Sequence, residues 1–134
     1  MLEPVRNPTD WFRRRHKGVY LNCAHAVGIA FGLIHPDDTN ALREFRHYGY
    51  GKAANGDCGA LHAARMVIER HNPELVQDLE ERFAQVSGSA HCREIRRTHG
   101  RRRCDACVAD AVRLLPEVLS QADPESDGTA ALPD

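Results

Sequence analysis

Apolar residues recur at helical spacing along most of the chain, and the strict alternation of a half-buried strand is nearly absent. Cys104, Cys107, Val108, Ala111, Val112, Leu115 and Val118 form one stripe over four turns, which predicts a long amphipathic helix. A second stripe, Tyr20, Cys23, Ala24, Val27, Ala30 and Phe31, predicts a helix that begins near Asp10 or Trp11 and ends near Gly32. A short third helix is expected from Asp38 to His47. The stretch YGYGKAANGDCGA carries Gly49, Gly51, Gly56 and Gly59 and reads as a loop. The next helix should run from Cys58 to about His71, because Asn72 precedes Pro73 and a residue before proline is disfavoured in the α region. Pro73 then opens a helix through Glu74 to about Gln85. In VSGSAHCREIRR, Ser89 is the expected N-cap and Gly100 the stop.

These elements predict an all-α fold: a single compact helical bundle of about five helices, with a glycine-rich loop and a disordered acidic C-terminal tail. The domain should span residues 1–120, and the tail, QADPESDGTAALPD, residues 121–134, where little can be buried. A chain of 134 residues suffices for one core but not comfortably for two. Its 42% hydrophobic and 28% charged residues are those of an ordinary globular protein.

The net charge of -1 conceals basic runs at residues 13–17 and 101–103, balanced by an acidic tail. Neither run has the interleaved aromatics of a base-stacking platform, so no nucleic-acid partner is expected. No segment reaches the roughly 18 apolar residues of a membrane span, and the first twenty residues do not read as a secretory signal. The expected location is the cytoplasm, where structural disulfides are rare.

That expectation leaves five cysteines to explain: Cys23, Cys58, Cys92, Cys104 and Cys107. Three of them, Cys58, Cys92 and Cys104, fall in the first turn of a predicted helix, where unpaired amides and the positive end of the dipole stabilise a thiolate. Arginines at 93, 101, 102 and 103 lie beside two of these. Cysteine is also among the most buried residue types, so a purely packing role is an alternative for some of the five. His25, two residues from Cys23, and His62, four from Cys58, add a zinc alternative. No haem-attachment or phosphate-loop spacing occurs.

The blocks NCAHAV at 22–27, GYGKAANGDCGALHAARMVI at 49–68, FAQVSGSAHCREI at 83–95 and CDACVADAVRLL at 104–115 resemble, in order and spacing, the C_GCAxxG_C_C family. The resemblance places the family cysteines on Cys23, Cys58, Cys92 and Cys104, with Cys107 where the family more often has another residue. The central motif departs from the family at Asp57, Gly59 and Ala63. Asp57 should add a helix cap and negative charge near Cys58.

What the resemblance implies is a helical domain, a redox role, and similarity to the C-terminal part of split-Soret cytochromes, whose cysteines are associated with an iron–sulfur cluster. Function is therefore expected to be electron transfer by an iron–sulfur cluster, [2Fe–2S] favoured, held by Cys23, Cys58, Cys92 and Cys104 or Cys107. Arg93 and Arg103 would raise its potential. A redox partner protein is expected, and a homo-oligomer sharing the cluster is compatible with the residues. Two alternatives stand beside it: a metal-free thiol–disulfide protein cycling Cys104 and Cys107, and a zinc-stabilised module using the same cysteines with His25 or His62.

Overall fold

The computed structural model of the chain describes residues 11–49, 56–99 and 103–122. Expectations for the glycine-rich loop between 50 and 55, for Gly100 as a helix stop and for the tail beyond 122 lie outside the described residues.

The chain enters through a small antiparallel ribbon, β1 (Arg15–His16) and β2 (Val19–Tyr20), with Arg15 opposite Tyr20 and His16 opposite Val19. Lys17 and Gly18 connect the strands with φ of 52° and 80°. Positive φ at both positions suits a two-residue hairpin, because that turn matches the right-handed strand twist. The helix expected from near Asp10 or Trp11 therefore starts only at Cys23. A helix cannot continue through left-handed Lys17 and Gly18, and the apolar residues upstream serve a folded-back ribbon instead. Trp11, Phe12, Val19 and Leu21 are all buried against the helices.

Helix α1 (Cys23–Ala30) begins with a reciprocal capping box. The His25 amide donates to the Asn22 side-chain oxygen at 3.0 Å, and the Asn22 amide donates to His25 Nδ1 at 2.9 Å. Two orphan donors are thereby satisfied inside the protein. All eight residues of α1 are buried, so it is the central helix rather than a surface one.

Around it run α2 (Thr39–Phe45), capped by Asp38 and extended by a 3₁₀ turn Arg46–Tyr48, and α3 (Gly59–His71). Asn72 and Pro73 then open a 3₁₀ turn, Pro73–Leu75, before α4 (Val76–Ser87), which Gly88 ends in the left-handed conformation at φ 91°. Helix α5 (Cys92–His99) starts three residues past the expected cap. Ser89 Oγ accepts from the His91 amide at 3.0 Å and so closes a turn before the helix.

The last helix, α6 (Arg103–Ala122), follows the predicted stripe and continues through Pro116 into the first two residues of the expected tail. Its buried side, Cys107, Val108, Ala111, Leu114, Leu115 and Val118, packs on α1, α3 and α4. The fold is all-α as expected, with six α-helices among the described residues. None of the described helices is long and apolar enough to cross a membrane.

His25 ties α1 to α2. Its Nδ1 accepts the Asn22 amide and its Nε2–H donates to the Leu42 carbonyl at 2.7 Å, with the side chain fully buried. Those partners require the neutral imidazole, and burial accordingly lowers its pKa despite the Leu42 hydrogen bond. The unfolded chain binds this proton more readily, so stability rises with pH up to the unfolded value and falls as pH drops below about 6.5. His25→Ala should cost about 2–5 kcal/mol by leaving two buried backbone groups unpaired, and should flatten the pH dependence between about 6.5 and 5. Denaturant unfolding of both proteins across that pH range measures the two effects.

Candidate thiol site

The cysteines sit where helices begin. Cys23 opens α1, Cys58 is the N-cap residue of α3, and Cys92 opens α5. Cys104 is the second residue of α6, and its side chain lies outside the described residues. Cys23 was expected in mid-helix, and the late start of α1 moves it to a helix head, which makes four such positions. Cys107 follows one turn inside α6 on its buried side.

The backbone draws two of these heads together. The Cys58 amide donates to the Ala90 carbonyl at 2.8 Å, and Asp57 and His91 form an antiparallel bridge, so the starts of α3 and α5 lie side by side. A salt-bridge network reinforces the joint. The Asp57 carboxylate meets Arg65 at 2.6 Å and His91 at 3.3 Å, and Arg65 also reaches Glu80 at 2.8 Å. Asp57 was expected to cap a helix, but α3 starts on Cys58 with no side-chain cap. The Asp57 charge is instead neutralised against Arg65.

Cys23, Cys58, Cys92 and Cys107 form no disulfide, and all four are buried. Cys58 Sγ neighbours two other sulfurs, those of Cys107 and Cys23. The contact with Cys107 favours the Cys58 thiolate, while the contact with Cys23 disfavours it. Burial and the proximity of Cys23 add to the second effect, and the Leu61 amide opposes them only weakly. The balance pushes the Cys58 thiol well above its ordinary range. A helix head was expected to lower it; at this depth desolvation and a sulfur neighbour outweigh the dipole.

The contact depends on a missing side chain. A Cβ at Gly59 would lie 2.7 Å from Cys23 Sγ and 2.5 Å from the Tyr48 carbonyl oxygen. A Cβ at Gly49 would lie 2.5 Å from the Asn22 side chain that caps α1. These glycines were expected as loop positions free to take positive φ, yet both mark close approaches between elements. Asn22, Tyr48 and Arg65 were also missed, since each acts through residues distant in sequence.

The histidine alternatives separate. Both ring nitrogens of His25 are engaged by backbone, which removes it from any ligand set. His62 is half-buried, its ring 4.4 Å from the Tyr48 ring, and its Nδ1 has no hydrogen-bond partner among the described residues. Burial first, and then Arg65, lowers its pKa. Among the described residues no three His, Cys, Asp or Glu side chains form a group that could hold one metal ion. Thiol sulfur is nevertheless the donor type that a thiophilic group takes.

A family model described as "Putative redox-active protein (C_GCAxxG_C_C)" matches residues 21–118, most of the chain. No curated protein and no solved structure matches it. The motif spelled in the family name, G-C-A-x-x-G, runs from 57 to 62 when its cysteine is set on Cys58, so its last glycine falls on His62 and not on Ala63.

Burial of the four described cysteines predicts slow alkylation. In native protein near pH 7.5, iodoacetamide should modify Cys23, Cys58, Cys92 and Cys107 at least about a hundredfold more slowly than in denaturant, since reaction requires local opening. Mass-spectrometric peptide mapping over time gives each rate, and rapid native labelling of Cys58 would contradict the buried site.

Proposed function

Since the chain belongs to the C_GCAxxG_C_C family of redox-active proteins, we propose that it carries electrons on an iron–sulfur cluster bound where its helix heads meet. The supporting observation is the position of Cys58, whose sulfur contacts Cys23 and Cys107 from two other helices in the buried interior. In this reading Cys23, Cys58 and Cys107 are three ligands, and Cys92 or Cys104 is the fourth. Cys107 thus takes a place that the family resemblance assigned to Cys104. When bound, the cluster supplies one-electron redox chemistry, with [2Fe–2S] as the favoured type.

The residues around the sulfurs do the remaining work. First-turn amides of α1, α3 and α5 offset the negative charge that four thiolates bring. Burial keeps water from the sulfurs and so bears on the potential. Arg93 is exposed on α5, and water screening limits its leverage on that potential. The Asp57–Arg65 pair holds the α3 head without adding net charge. An electron partner is a protein in this reading. Zinc is the lesser reading, because His25 is committed to the backbone.

Anaerobically purified protein should absorb broadly between roughly 320 and 600 nm, bleach with dithionite, and contain near-equal iron and sulfide. Cys58→Ser should abolish incorporation. Colourless wild-type protein containing one zinc, or full cluster content in the Cys58 variant, would sink this reading.

A further inference from the structure

Cys58 has two sulfur neighbours and can bond covalently to only one at a time. Its Sγ neighbours Cys23 on α1 and Cys107 on α6, and all three are buried and hold no disulfide. Cys23 Sγ seats against the bare backbone of Gly59, where the family motif has alanine. An alanine there would crowd that sulfur at 2.7 Å. This chain therefore departs from the motif in the family name at the residue after Cys58, where a glycine admits Cys23, and Cys107 stands outside the four cysteines that the resemblance assigns.

We infer that in the cluster-free protein these thiols form a two-position disulfide, with Cys58 bonded alternately to Cys23 and to Cys107. The inference shares the redox site proposed above but does not depend on a cluster. The oxidant is a small-molecule disulfide, RSSR. The Cys23 thiolate attacks one sulfur of RSSR, forming a mixed disulfide as the R–S–S–R bond breaks and RS⁻ leaves. Cys58 gives its proton to that thiolate and attacks the Cys23 sulfur. The Cys23–Cys58 bond forms and a second RS⁻ leaves, taking up the proton that Cys23 had given up. Two protein thiols are oxidised and one RSSR is reduced to two RSH.

Exchange follows without net electron transfer. The Cys107 thiolate attacks Cys58 Sγ, the Cys58–Cys107 bond forms, and Cys23 leaves as the thiolate that takes up the Cys107 proton. Cys107 is thus the resolving thiol, a role that none of the four cysteines assigned by the family resemblance fills. Because the sulfurs are buried, entry of RSSR requires local opening and the first step is slow.

The test incubates metal-free full-length protein with glutathione disulfide, quenches with an alkylating agent and maps disulfides by mass spectrometry. Wild-type protein should yield both Cys23–Cys58 and Cys58–Cys107 linkages. Cys107→Ser should retain only Cys23–Cys58, Cys23→Ser only Cys58–Cys107, and Cys58→Ser neither. Gly59→Ala should lose the Cys23–Cys58 linkage and keep the other; the serine variants carry the test if that protein does not fold. A single linkage in wild-type protein, or linkages dominated by Cys92 or Cys104, overturns the inference. Iron and sulfide content are read separately: cluster without these disulfides refutes this inference alone, and disulfides without cluster refute the cluster reading alone.

Discussion

The reciprocal cap between Asn22 and His25 is the interaction on which the rest depends. A helix buried on every face cannot leave its first amides to water, so α1 needs an internal partner at its head. Asn22 and His25 provide it for each other. Their outer atoms then reach across to α2, His25 Nε2 to the Leu42 carbonyl and Asn22 Nδ2 to the Phe45 carbonyl at 3.0 Å. One polar cluster thus starts the central helix, fixes α2 against it and puts Cys23 at the first helical position.

From that point the thiol site is assembled by close backbone approach. Gly49 lies against Asn22, and Gly59 lies against both the Tyr48 carbonyl and the Cys23 sulfur. The turn after α2 and the head of α3 are thereby pressed onto the head of α1, which brings Cys58 to Cys23. Cys107 comes to Cys58 from α6, whose stripe packs on α1 and α3. The site is a meeting of helix starts, and its chemistry is a contest between helix-head amides, which favour thiolates, and burial, which favours neutral thiols. At Cys58 burial and sulfur–sulfur contact prevail.

The head of α3 carries a charge buried with its partner. Asp57 and Arg65 are both largely removed from water, 9% and 16% exposed at the side chain. Replacing one of them would strand the other, a larger penalty than the pair's own net contribution.

How much of this was legible beforehand divides along physical lines. Periodic apolar spacing reports which face of a helix is buried, so α3, α4 and α6 and the all-α class were readable from local pattern. Three of the helix-head cysteines were readable too, because glycine, proline and capping residues mark helix starts in their own neighbourhood. The start of α1 was not, since the apolar residues of the β1–β2 ribbon fall at spacings that a helix also allows, and only the left-handed turn at Lys17 and Gly18 separates the two. Sequence by itself determined the helical class, most of the helices, the set of cysteines and the family resemblance. Tertiary structure alone decided that Cys58 neighbours both Cys23 and Cys107, that His25 is a cap and not a ligand, and that Gly59 is a point of contact. Those outcomes depend on which helix heads meet and how closely, and residues far apart in the chain carry no local signal of their contact.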